Sequence, residues 1–173
     1  VATASAQELR YRSLGENPSR TVIIGYDRRF LAKEMAEVVA AAVSGCELEP
    51  LLVDGPVTTP ACSWAVVQRG ALGALVITAS HNPFQWLGLK IKGPFGGSVD
   101  GEFTKAVEKR LKVGGYAEPR FSSFNYFDAR KEHLDGLRSK FDLDGLAEKL
   151  DAIGIKIIVD SMHGSSACCI SEL

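Results

Sequence analysis

Cysteine is scarce in this 173-residue sequence, with four residues, Cys46, Cys62, Cys168 and Cys169, and no C-x-x-C pair among them. The last two are adjacent, a spacing that disfavours an ordinary disulfide between them, so all four are read as reduced core residues. Excess charge of one sign is lacking too. The net charge of −1 leaves no electrostatic footprint for nucleic acid or an anionic membrane, and any phosphate chemistry has to come from local geometry. No run of about 18 consecutive apolar residues occurs, and the N-terminus has no basic region followed by an apolar one. The expected location is therefore cytoplasmic, with neither membrane nor nucleic acid as a partner. Aromatics are few, at 8%, beside 46% hydrophobic and 24% charged residues, a composition ordinary for a soluble folded protein. The length suits one good-sized domain, or one plus part of another. Since the chain starts at Val1 and stops at Leu173 inside a segment without a terminator, it is expected to be a piece of something longer.

What is present is a repeating strand and helix pattern. A polar lead-in of twenty residues holds a short helix around Ser5 to Ser13. Thr21 to Asp27, "TVIIGYD", is a β-branched run suited to a strand buried on both faces. Leu31 to Ser44 has the spacing of an amphipathic helix, with Gly45 as its C-cap. "LEPLLVDG" supplies a second strand. Thr59 as N-cap and Pro60 at the first helical position open a second helix that Gly70 ends. "ALGALVITA" is a third strand, and "LGLKIKG" a fourth that returns antiparallel to it. "VDGEFTKAVEKRLKVGG" is a helix starting near Asp100 and stopped by two glycines. Beyond it, "YAEPRFSSFNYFDAR" reads as loop, and the charged stretch from Lys131 to Gly154 as a helical linker. Ile155 to Leu173 restarts the strand, glycine turn and helix pattern, although no short internal repeat exists.

Short crossovers between such elements predict an α/β fold: a three-layer α/β/α domain with a mixed, mainly parallel sheet, followed by the beginning of a second α/β domain. The boundary is set near Asp151, giving domains at 1–150 and 151–173. Ligands of such sheets gather at the carboxyl ends of the strands, here "GYDRR", "VDGPVTTP" and "TASHNP".

Ser80 lies in the last of these loops, with His81, Asn82 and Pro83 directly after it. A serine hydroxyl needs an orienting group, a base, or a phosphoryl group in place of its proton before it does chemistry. His81 as an immediate neighbour is poorly placed to be that base, and neither a Ser/His/Asp order nor a G-x-S-x-G elbow is present. The residues alone leave two readings: a plain turn in which Thr78, Ser80 and Asn82 bond the backbone, or a reactive serine.

"TASHNP" followed by "GLKIK" closely resembles the active-serine loop of the α-D-phosphohexomutase superfamily, the phosphoglucomutases and phosphomannomutases. "GYDRRF" resembles that family's early G-x-D-x-R loop, "GPVTTPA" its Thr-Pro turn, and "VDSMHGSS" the opening of its second domain. The resemblance implies a phosphoserine at Ser80 that exchanges phosphate with a hexose phosphate through a 1,6-bisphosphate. It implies that Arg29 pairs with the serine phosphate, that Lys90 assists proton transfer, and that His81 lines the site. It further implies Mg²⁺ bound to the phosphate on Ser80, glucose 1,6-bisphosphate as activator, and further domains of a longer enzyme as partners. Lys92 shares a strand face with Lys90, so the choice between them follows the motif. His133 and His163 are read as structural, and the glycine-rich "GPFGGS" is left between phosphate cradle and tight connection.

Two departures qualify the match. Leu87 stands where the family usually has asparagine, and the family's aspartate-rich metal loop is missing, "VDSMHG" offering only Asp160. The isolated chain is accordingly expected not to turn over. Glucose is favoured as the sugar, mannose kept open and glucosamine ranked lower. A non-catalytic phosphosugar-binding module is the alternative, and a purely structural domain the third reading.

Overall fold

A computed structural model describes every residue of the chain except Leu14, Glu16 and Cys168. Helix α1 (Ala2–Arg12) precedes strand β1 (Thr21–Tyr26), α2 (Ala32–Gly45), β2 (Glu49–Val53), α3 (Thr59–Gln68), β3 (Gly73–Ile77), β4 (Leu89–Lys92), α4 (Gly101–Val113), β5 (Asn125–Phe127), α5 (Ala129–Lys140) and α6 (Leu143–Ala152). The five strands form one sheet in the order β4-β3-β1-β2-β5. β1 is parallel to β2 and β3, β2 is parallel to β5, and β4 alone is antiparallel, against β3. This is the expected mixed, mainly parallel sheet. Helices α1, α2 and α4 pack together on one face and α3 with α5 on the other, which completes three layers.

Burial explains the strands. Val22, Ile23 and Ile24 of β1 and Ala74, Leu75 and Val76 of β3 are essentially inaccessible, as central strands covered on both faces must be. One contact is especially tight: a Cβ built on Gly25 would stand 2.3 Å from Cys62 Sγ, so α3 reaches β1 only because position 25 has no side chain. Burial pushes the pKa of the Cys62 thiol up to about 12. On the opposite face, Glu8 is 3% exposed and takes Arg12 Nε at 2.9 Å and Arg110 Nε at 2.8 Å, joining α1 to α4. Burial alone would raise its pKa; the hydrogen bonds from the two arginines outweigh that and hold it below the usual carboxylate range.

The local boundaries shift in small ways. α1 begins at Ala2, earlier than expected, and Gly45 is the last residue of α2, with Cys46 as the cap. Thr58, one residue before the expected Thr59, is the N-cap of α3. Asp100 caps α4 as expected, accepting from the Phe103 N–H at 2.7 Å.

Three readings of the C-terminal part are corrected. The stretch taken as loop contains β5, which extends the edge of β2 through Leu51↔Asn125 and Val53↔Phe127. The stretch taken as linker holds most of α5, which begins at Ala129 in the preceding loop stretch, buries Ala129 and Leu134 against the domain and pairs Glu132 with Arg69, the C-cap residue of α3. Only α6 buries nothing. The strand and helix expected from Ile155 to Leu173 do not form: Ile158 is 92% exposed, and no described strand pairs with this run. A strand is made by its neighbours, and none is adjacent. Cys46 and Cys62 are buried and free as expected, Cys169 is only half-buried, and Cys168 lies outside the described residues.

Candidate active site

After β1 the chain crosses by α2 to β2 on one side, and β2 then crosses by α3 to β3 on the other side of β1. The carboxyl ends of β1 and β3 therefore flank the point where the winding reverses, the place where open α/β sheets leave a crevice for ligands. The two loops are tied together there by the Asp27 N–H, which donates to the Ile77 carbonyl at 3.1 Å. Asp27, Arg28 and Arg29 come from one side, and Thr78 to Pro83 from the other.

Ser80 is exposed and holds φ at +57°, a left-handed conformation that costs a serine about 1–2 kcal/mol. Its N–H donates to Thr78 Oγ1 at 3.0 Å, and Asn82 returns its N–H at 3.0 Å and its side-chain amide at 2.9 Å to the Ala79 carbonyl. Thr78 and Asn82 thus do bond the backbone as a turn requires. Further along, the Thr78 N–H donates to the Gly88 carbonyl at 3.0 Å, an approach so close that a Cβ at position 88 would meet the Thr78 oxygen at 3.0 Å.

The strongest tie comes from Arg29. Its Nη1 donates to the carbonyls of Pro83 at 2.8 Å and Trp86 at 3.0 Å, and its Nη2 to those of Ser80 at 3.0 Å and Asn82 at 2.7 Å. Nε faces Asp27 Oδ2 at 3.3 Å, and the Arg29 N–H bonds Asp27 Oδ1 at 2.9 Å. A planar guanidinium with fixed donors suits this fan of acceptors. The resemblance has Arg29 pairing with a phosphate on Ser80; in the structure its donors point at the loop's backbone and not into open space. The loop is consequently anchored without the asparagine that Leu87 replaces; Leu87 itself is part-exposed.

A cavity of about 760 Å³ opens beside Ser80. Asp27, Arg28, Arg29, Thr58 and Thr59 line it on one side, and Ser161 to Ser165 on another. The N-terminus of α3, whose Thr58 cap makes no side-chain hydrogen bond, faces this space and adds a positive dipole end. His163, read as structural, stands in the lining. His81 and Lys90 do not, although both lie near this edge: His81 is exposed next to Ser80, and Lys90 is paired with Val76, one register step from the end of β3. Lys92 sits deeper, opposite Ala74, with Nζ on Ser98 Oγ at 3.3 Å, so position as well as motif separates the two lysines. His133, at the α3–α5 contact, packs near Trp64, and burial lowers its basicity. The "GPFGGS" turn closes on itself through Gly93 N–H to Gly97 carbonyl and Gly96 N–H to Gly93 carbonyl, and none of its residues lines the cavity beside Ser80.

Asp27 is the one carboxylate among the cavity's lining residues, and it is committed to Arg29. Among the described residues no three His, Cys, Asp or Glu side chains gather as metal ligands. A hard cation such as Mg²⁺ needs several oxygen ligands, so these side chains do not fit it by themselves. Among the described residues, no helix is long and apolar enough to cross a membrane.

Comparison with known proteins bears directly on this geometry. Residues 1–117 match the family described as phosphoglucomutase/phosphomannomutase, alpha/beta/alpha domain I. A phosphoglucosamine mutase of Sorangium cellulosum is 30% identical over 158 residues, covering 89% of this chain and 32% of its own length. A Staphylococcus aureus phosphoglucomutase is 31% identical over 106 residues, covering 61% of this chain and 19% of that protein. Among solved structures, a Thermus thermophilus protein described as a phosphomannomutase superposes with a TM-score of 0.73 at 34% identity, over 84% of this chain and 32% of that one. The open form of a Paramecium phosphoglucomutase, parafusin, shares the fold, with a TM-score of 0.78 at 16% identity over 99% of this chain and 37% of that one. The chain spans about a third of the length of the phosphoglucosamine mutases it matches.

Proposed function

As this chain belongs to the phosphoglucomutase/phosphomannomutase family, we propose that it is the serine-bearing part of a hexose-phosphate mutase, with Ser80 Oγ as the atom that carries the phosphoryl group. The observation that carries this reading is Ser80 itself, exposed and left-handed at the winding reversal, on a loop whose carbonyls Arg29 holds. A fixed loop suits phosphoryl transfer, in which the protein mainly positions reactants and stabilises charge. In the forward step the bond from phosphorus to Ser80 Oγ breaks and a bond to a sugar hydroxyl oxygen forms. The hydroxyl proton passes to the departing Ser80 Oγ, which is left as a neutral hydroxyl, and Lys90 is assigned to assist that transfer; the product is a hexose 1,6-bisphosphate. The reverse step, using the other phosphate, restores the serine phosphate.

Residues 151–173 open a second domain on this reading, which the exposed apolar run at Ile157, Ile158 and Val159 supports. Mg²⁺ is assigned to ligands that include groups outside this chain. Glucose phosphate is the substrate to test first, with mannose and glucosamine phosphates beside it. The lower rank given to glucosamine draws no support from the relatives, several of which are phosphoglucosamine mutases by name.

The test is tandem mass spectrometry of the full-length protein before and after incubation with glucose 1,6-bisphosphate and Mg²⁺. One added phosphate located at Ser80, absent in Ser80→Ala, is the expected result. Hexose phosphate binding with no phosphate on Ser80 would leave the non-catalytic binding module in its place.

A further inference from the structure

Two consecutive arginines end the β1 loop, and their side chains have different surroundings. Arg29 is nearly sealed, with 14% of its side chain exposed, and its guanidinium is occupied by Asp27 and four loop carbonyls. A phosphate could recruit it only by breaking the bonds that hold the serine loop. Arg28 is exposed, lines the same cavity as Ser80, and has no hydrogen bond or ion pair among the described residues. The bond from the Arg29 N–H to Asp27 Oδ1 makes residue 28 the middle of a tight turn, which leaves its side chain outside the Asp27–Arg29 pair.

Charge points the same way. Asp27 is the cavity's carboxylate, and Arg29 neutralises it. That leaves the Arg28 guanidinium uncompensated in a space that also receives the N-terminus of α3. A guanidinium with free N–H donors is well matched to phosphate oxygens, which it can bond in pairs. We infer that the two arginines divide the work: Arg28 binds the phosphoryl group carried or received by Ser80, while Arg29 is a positioning residue that holds the loop.

This inference rests on the mutase reading. It is tested in the full-length protein by comparing Arg28→Ala, Arg28→Lys and Arg29→Lys with the parent. Measured for each are kcat and KM with glucose 1-phosphate, phosphate incorporation at Ser80, and amide hydrogen exchange over residues 78–88. Arg28→Ala is expected to lower kcat/KM by about 10- to 100-fold, the scale of losing a hydrogen bond to a charged group, with loop exchange unchanged. Arg28→Lys should recover part of the loss, because the charge returns without the paired donors. Arg29→Lys should speed exchange across the loop. Parent-like kinetics in Arg28→Ala, beside an active parent, overturn the inference alone. Loosening of the loop in Arg28→Ala also overturns it, since the residue would then be structural. A parent protein that neither turns over nor acquires phosphate at Ser80 overturns the mutase reading and this inference together.

Discussion

The guanidinium of Arg29 bonds the carbonyl of Asn82 at 2.7 Å across a gap of more than fifty residues in sequence. It does the same for Ser80, Pro83 and Trp86, so one side chain from the β1 loop sets the path of the whole loop after β3. Replacing Arg29 by alanine should cost about 1–2 kcal/mol of stability, because the freed carbonyls lie near water and recover part of their bonding there. Phosphate incorporation at Ser80 should fall far more steeply than stability. Thermal melting and mass spectrometry on the same sample check both.

Ser80 holds a left-handed backbone that glycine adopts freely. Ser80→Gly should therefore raise stability by about 0.5–1 kcal/mol while abolishing phosphate incorporation. A fall in stability on denaturant unfolding would show that the serine hydroxyl supports the loop more than its backbone strains it.

Glu8 sets a pH limit. Its pKa is lower in the folded protein than the ordinary 4.5, so its contribution is complete above that value and is lost as pH falls through the folded one. Denaturant midpoints should be flat from pH 7 down to about 5 with respect to this group and decline below that. Glu8→Gln should flatten the acid limb and cost about 1.5–2 kcal/mol at neutral pH, because Arg12 and Arg110, both partly exposed, exchange a charged hydrogen-bond acceptor for a neutral one.

Gly25 and Cys62 make a pair suited to a double-mutant cycle. Gly25→Ala should destabilise by more than about 2 kcal/mol, since its methyl group would collide with the Cys62 sulfur. Cys62→Ala removes that sulfur and should restore part of the loss in the double variant. In the unaltered protein the Cys62 thiol, its pKa raised to about 12 and its sulfur inaccessible, should resist thiol reagents until the chain unfolds.

The central sheet was legible because β1 and β3 are continuous apolar runs bounded by glycine and polar loops, and the antiparallel return of β4 followed from its short connection. β5 was not, because three residues, Asn125 to Phe127, carry no pattern and become a strand only by lying along β2. α5 looked like linker because its sequence is mostly charged, although Ala129 and Leu134 suffice to seat it. Conversely, Ile155 to Val159 has strand composition and lacks a neighbour. In the site, the convergence of the strand-end loops and the Ser80 turn could be read from residues and motif. Which of two adjacent cavity-lining arginines spends its donors on the loop could not, because it depends on where four carbonyls from another loop arrive.

The order of the strands also bears on how a ribosome delivers this sheet. β1 is synthesised first yet occupies the middle, so its two hydrogen-bonding edges wait for β2 and then for β3. Until Ile77 has emerged, a nascent chain presents Val22, Ile23 and Ile24 with at least one bare edge, a template for pairing with another chain. Chaperone demand for this protein should accordingly be concentrated before β3 is made, and chains truncated between Tyr26 and Ile77 should be the ones that aggregate.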